Sequence, residues 1–274
     1  MAQTVQLQFK QGLSSGSTGW AAVNPVLASG EPGYELDTGT LKMGDGSSAW
    51  IDLGNFRSGS SVAIGSYSGQ SGQNPAATSI GQQSGTFNQG IAATSIGSQA
   101  GNTNQGNYSV AVGSAAGQTG QGFSCVAIGL QAGQTNQGTQ CIAIGLQAGQ
   151  TSQGPISVAI GYQAGQTEQS LYSTAIGLQA GQTNQGSQCI AIGTQAGQTN
   201  QGTRCIAIGI QAGKTSQASN TIILNASASG LVGVAGQTGS FYVAPVRTIV
   251  SGSLPSGFYN MAYNPITSEI IYWS

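Results

Sequence analysis

The chain contains no histidine, and only 5% of its 274 residues are charged. The first absence excludes every histidine-based catalytic or metal site. The second leaves six Lys and Arg against seven Asp and Glu, too few cations for counterion release, so neither nucleic acid nor an anionic membrane is an expected partner. Long apolar runs are missing, so no segment reads as membrane-inserted. The start, Met1-Ala-Gln-Thr-Val-Gln, lacks the basic and apolar regions of a secretory signal, and none is expected here. Cysteine is scarce, with four residues. Glycine is abundant instead, at 45 residues, well over the roughly 7% of an ordinary protein.

The glycines are periodic. Ala63-Ile64-Gly65 recurs in variants ending at Gly81, Gly97, Gly113, Gly129, Gly145, Gly161, Gly177, Gly193 and Gly209, each step 16 residues with no insertion or deletion. A degenerate eleventh copy, Ile222-Ile223-Leu224-Asn225, falls on schedule. Taking this Gly as position 0, the clearest coil is Cys141-Ile-Ala-Ile-Gly145-Leu-Gln-Ala-Gly149-Gln-Thr-Ser-Gln153-Gly154. Position −1 is Ile64, Ile80, Ile96, Val112, Ile128, Ile144, Ile160, Ile176, Ile192 and Ile208, and every copy has Gly at +4 and Gln at +8.

Loops normally tolerate insertions cheaply, so an unbroken period means that each residue stacks on its counterpart in the next coil, as in a solenoid. Two to three Gly per repeat, at about 1 kcal/mol each, exclude helix. Ser-Val-Ala-Ile-Gly alternates with the period of a strand. Each coil then reads as a short strand, a corner at the position-0 Gly, a second segment (Gln-Ala-Gly-Gln-Thr) and a Gln-Gly return, the Gly supplying the corner conformation. The −1 residues, with Ala, are the expected core, stacked as Ile–Ile and Ala–Ala ladders. The opposite strand face is small and uncharged, and a partner copy is expected to cover what the coil interior does not. Ten coils at about 4.8 Å each make a rod of roughly 50 Å. The predicted class is all-β: a parallel β-roll or solenoid of ten to eleven 16-residue coils, homotrimeric, with small β domains at both ends.

Ser61-Val62-Ala63-Ile64-Gly65 and Ser157-Val158-Ala159-Ile160-Gly161 resemble the head repeat of YadA-type trimeric autotransporter adhesins. Members of that family fold as left-handed parallel β-rolls and trimerise side by side. The resemblance covers residues 58–226; the repeat here is slightly longer than the family's usual unit, and neither a coiled-coil stalk nor a membrane anchor is recognised, so bacterial self-export is not expected. Residues 1–57 hold five of the seven acids and two of the three Trp, and Asp37-Thr-Gly39 and Gly44-Asp45-Gly46 separate short predicted strands. The string from Trp20 through Gly39, continuing from Lys42 to Leu53, resembles the N-terminal domain of phage tropism determinants and many tail-fibre proteins. That resemblance implies a small β module that trimerises and fastens a fibre to a virion. Residues 227–274 read as a strand followed by a hairpin turning at Asn264-Pro265, similar to terminal strands of phage and large-DNA-virus fibres. They suit a cap over the last coil; the alternative is a recognition tip using Tyr242, Tyr259, Tyr263 and Trp273.

Cys125, Cys141, Cys189 and Cys205 all occupy position −4, making two pairs of vertical neighbours. Buried free thiols are preferred over a disulfide, because Ser serves at this position in other copies; a metal is least favoured, with no His or acid beside them. Thr at +6, from Thr103 to Thr215, forms a rank that suggests ice binding, but flanking Gln favours stacked amides. One acid, Glu168, lies in the shaft, so the paired carboxylates of a glycosidase are lacking. Asp37, Asp45 and Asp52 as a Ca²⁺ site is a remote reading. No phosphate-binding or dinucleotide fingerprint is present. The expectation is therefore no catalytic residue, no cofactor and no metal. The function implied is a virion fibre, assembled in the host cytoplasm and displayed on the virion surface, that supports host attachment. Its expected partners are itself, a virion protein through the N-terminal module, and a host receptor or glycan. The alternatives are a bacterial trimeric surface adhesin and a glycan- or ice-binding solenoid.

Overall fold

A computed structural model describes residues 9–16, 19–53, 55–57, 61–245, 260–264 and 269–273. Among these, helix is confined to single turns at Trp20–Val23 (α1) and Trp50–Asp52. The N-terminal module is a four-stranded sheet in the order β1 (Lys10–Gly12), β2 (Pro32–Glu35), β3 (Leu41–Met43) and β4 (Asn55–Arg57). β1 runs parallel to β2, and β3 is antiparallel to both its neighbours. Trp20, Leu27, Trp50 and Leu53 form its core, with the two indoles edge to face at 4.3 Å. The Asp37-Thr-Gly39 turn lies between β2 and β3, with the Gly39 N–H donating to Glu35 O at 2.9 Å.

The shaft is a solenoid of two parallel sheets. One has 12 strands, from Val62–Ile64 to Phe241–Ala244, and the other has nine, from Ser71–Gln73 to Thr199–Gln201. Register follows the repeat: Ala127 pairs with Ala143 and Ile128 with Ile144 in the first sheet, and Gln137 with Gln153 in the second. The sequence places the second strand too early. Gln-Ala-Gly at +2 to +4 forms a turn, because Gln147 (φ 57°) and Gly149 (φ 52°) are both left-handed. The strand begins at Thr +6 instead, as in Thr151–Gln153.

The core also differs from expectation. Ile64, Ile80, Ile96, Val112, Ile128, Ile144, Ile160, Ile176, Ile192 and Ile208 are not buried; Ile64 is 36% and Ile208 40% exposed. The interior belongs to the other strand face. Ala at −2 (Ala63, Ala111, Ala143) and at +3 (Ala100, Ala148, Ala196) are fully buried, as are Cys125, Cys141, Cys189 and Cys205. The physical reason is width. A single 16-residue coil closes around a lumen that admits two alanines and one Gln side chain, so alternation puts the large −3 and −1 residues outside.

The lumen also explains the second Gly. A Cβ on Gly149 would lie 2.8 Å from Gln153 Oε1 and 3.3 Å from Ala143 Cβ, so +4 must be Gly wherever +8 Gln fills the interior. At the corner, Gly145 has φ +126° and its Cβ would meet Gly161 O at 2.6 Å, leaving no space for any side chain between coils. The end of the lumen is closed by Leu231 and Tyr242, packed against the alanine cluster, and the first sheet continues past residue 226 to Ala244. Residues 245–274 form a separate unit, in which Asn260–Asn264 and Glu269–Trp273 make the expected antiparallel hairpin.

Candidate binding surfaces

Closing the coil around small residues gives the shaft two unlike outer faces. The 12-stranded sheet presents the −3 and −1 side chains outward as two apolar files, with Val62, Ile96, Ile128, Ile142 and Ile190 each 36–39% exposed. Part of a third file follows at +1, where Leu130, Leu146, Tyr162, Leu178 and Ile210 are 39–50% exposed, while Ser66, Gln82, Ser98, Ser114 and Thr194 hold that position in the other coils. The nine-stranded sheet presents Thr at +6 and mostly Asn, Ser or Gly at +7. The Thr rank thus lies outside on a polar face, while Gln +8 points inward.

Those interior glutamines form a hydrogen-bonded column. Gln105 Nε2 donates to Gln121 Oε1 at 3.1 Å, Gln121 to Gln137 at 3.1 Å, and Gln137 to Gln153 at 3.0 Å. Each amide also donates to the −3 carbonyl of its own coil, as Gln121 does to Val110 O at 3.0 Å. Two further columns run outside, at +2 (Gln163 to Gln147, 2.9 Å) and at +5 (Gln150 to Gln134, 3.1 Å). Gln182 Nε2 cross-links them to Gln163 Oε1 at 3.1 Å. The thiols stack beside the inner column as free cysteines: Cys125 Sγ donates to Gly138 O at 2.6 Å and accepts from Cys141 N at 3.3 Å. The adjacent Cys141 thiol, and then burial, hold Cys125 above the usual thiol range, so it stays a protonated interior group.

In the module, charge is buried rather than avoided. Glu35 accepts from Trp50 Nε1 at 2.7 Å and from Thr38 Oγ1 at 2.6 Å. Lys42, 7% exposed, donates to Trp50 O at 2.7 Å and lies 4.9 Å from the Trp50 ring centroid. Burial lowers its amine to about 8, although Glu35 and Asp52 pull the other way. Glu35, Lys42 and Trp50 line an open hollow of about 370 Å³ that Tyr67, Ser68 and Gln70 of the first coil also line. Asp37 and Asp45 are each committed to a local turn: Asp37 accepts from Ser14 N and Oγ, and Asp45 from Ser47 and Ser48. Bonds from the Ser48 hydroxyl and from the Ser48 and Ser47 N–H groups hold the Asp45 carboxyl far below the usual range. Among the described residues no three His, Cys, Asp or Glu side chains gather as a metal site.

Of the aromatic residues considered for a recognition tip, Tyr242 covers the lumen and its hydroxyl accepts from Val234 N at 3.2 Å. Tyr263 and Trp273 lie in the hairpin strands, and Tyr259 lies outside the described residues. Sequence reasoning gave stacked Gln amides at +5 and +8, as found, but not that the +8 column points inward. The signal was present: Gln occupies +8 in all ten copies, and Gly at +4 is always four residues before it.

Fold and surfaces together define a parallel β-solenoid carrying a small N-terminal β module. Within that class, residues 16–48 match the family model of the major tropism determinant N-terminal domain. No curated protein and no solved structure matches the chain. The module match and the solenoid support a phage-fibre-like, virion-associated protein concerned with host attachment. No helix among the described residues is long and apolar enough to cross a membrane.

Proposed function

We propose that the chain is a structural, non-catalytic subunit of a homotrimeric virion fibre: the N-terminal module fastens it to the particle, and the solenoid is a spacer that carries host-attachment surfaces away from it. The observation that carries this reading is the outward apolar face of the 12-stranded sheet. Its files run the length of a rod about 50 Å long, so the stripe is on the order of 500 Å² or more, the size that marks an interaction surface. A second copy supplies the matching surface, because the same −1 Ile or Val recurs at every level of each copy, and closed symmetry buries the stripe without leaving an open end. The likeness of the repeat to YadA-type heads supports three copies. The tropism-determinant match in residues 16–48 supports attachment through the module. Several copies of weak sites on one particle then bind by avidity.

Light scattering tests the assembly. The chain is expected at about three times its 27.3 kDa mass. Ile128→Asp with Ile144→Asp, both outside the lumen, is expected to reduce it to one chain while keeping its β signature. A monomeric wild type, or a trimeric double variant, would refute the shared-face reading. For attachment, deleting residues 1–57 is expected to leave a folded rod that no longer joins its particle, and normal incorporation would overturn the assignment.

A further inference from the structure

The outer Gln columns depart most from the repeat in the first three coils. From the fourth coil onward most +5 positions carry Gln, long enough to cross to the +2 column: Gln118 donates to Gln99 at 3.1 Å and Gln198 to Gln179 at 3.3 Å. In the second and third coils +5 is Thr86 and Asn102, which are too short to cross. Thr86 Oγ1 turns to Tyr67 O at 3.2 Å, and Asn102 Nδ2 to Gln83 O at 2.8 Å. In the same stretch Tyr67 replaces Gln at +2 and Phe87 replaces Thr at +6. Four departures from the repeat thus converge on one patch of surface, where they leave a hollow of about 340 Å³.

Its walls have a definite chemistry. Tyr67 and Phe87 stand 42% and 47% exposed on successive coils, offering two aromatic ring faces. The Gln83 Nε2 has no described partner, because the residue below it in the column is Tyr67 and not Gln; the Gln70 amide has none either. Higher in the columns such amides are joined coil to coil, apart from Gln131, whose neighbour below is Ala115. No Lys, Arg, Asp or Glu lines the hollow. An open cleft with two exposed aromatic side chains, a free Gln83 Nε2 donor, the Gln70 amide and no charge fits a ligand with C–H faces and hydroxyls.

We propose that the cleft between Tyr67, Gln83 and Phe87 binds a neutral oligosaccharide. The site needs only the folded chain, so it stands apart from the fibre reading. The test is a printed array of neutral, sialylated and sulfated oligosaccharides probed with the full chain, followed by calorimetric titration of the best neutral glycan. The expected result is retention of a neutral glycan, weakened at least tenfold by Tyr67→Ala. The double variant Thr86→Gln with Asn102→Gln restores the repeat's own residues, so it should fold as wild type while filling the cleft, and the same loss is expected. Absence of any neutral ligand, preference for a sulfated or sialylated one, or wild-type affinity in the filled variant would each overturn the proposal.

Discussion

The module and the shaft exclude water by different means. The module gathers two tryptophans, two leucines, a buried lysine and a buried glutamate into one irregular cluster, each side chain with its own partners. The shaft uses two alanines, a small −4 residue and a glutamine per coil, each partnered by its own copy above and below. The difference follows from geometry. A single coil has too narrow a lumen for aromatic or branched side chains, so little apolar area is buried per coil, and hydrogen-bond columns and backbone ladders take a larger share of the work. It also follows that the module is sensitive to charge and the shaft to steric intrusion.

Glycine substitution separates the two regions most strongly. Gly145→Ala places a Cβ 2.6 Å from Gly161 O in a conformation with φ +126°, and the neighbouring coil cannot move without breaking its own ladder. A loss of roughly 3 kcal/mol or more is expected. In the module, Gly30 also has positive φ (+78°), but a Cβ there meets nothing within 4 Å, so Gly30→Ala should cost only about 1 kcal/mol. Equal losses in denaturant unfolding would show that coil-to-coil spacing is not what constrains the corner.

The next effect concerns the interior amides. Gln137→Leu removes the donor to Gln153 Oε1 and Val126 O and the acceptor for Gln121 Nε2, leaving buried polar atoms unpaired at about 1–3 kcal/mol each. We expect a net loss of roughly 2–4 kcal/mol, comparable to Leu53→Ala in the module core. A more stable Gln137→Leu chain would mean that the column is dispensable and the lumen only needs filling.

This contrast sets what the sequence could reveal. The 16-residue period, the parallel stacking and the Gly corners were legible because each position-0 Gly recurs in phase. Period-two alternation also separated Ala143 from Ile144, but it is symmetric and does not say which face turns inward. Hydrophobicity pointed to Ile144, whereas lumen width decides for Ala143. Of the three left-handed non-Gly positions of a coil, such as Gln131, Asn136 and Gln140, the two Gln were illegible because Gln carries no strong turn signal, whereas Asn does. In the module, the turns at Asp37 and Asp45 were legible from Asp beside Gly, but the approach of Lys42 to Trp50 is tertiary and left no local mark.

The smallest predicted effect sharpens the charge side of the comparison. Lys42 in the folded module has its amine lowered to about 8 by burial, against about 10.4 when exposed. Between these values the unfolded chain binds more protons than the folded one, so module stability must rise with pH through that window. Below about pH 8 the cost of the buried ammonium is fully present. The shaft has Glu168, Arg204 and Lys214 as its charged residues, together with the two thiol pairs, in which Cys125 is held above the usual thiol range. Trp20 and Trp50 both sit in the module core, so fluorescence-detected unfolding of the full chain should show a gain of roughly 1–2 kcal/mol from pH 7.5 to 9.5. Lys42→Met should raise module stability at pH 7.5 and flatten its pH dependence, since an isosteric apolar chain avoids desolvating the ammonium. A flat or falling wild-type curve, or a Lys42→Met variant that keeps the slope, would show that the Trp50 carbonyl and ring compensate the ammonium fully.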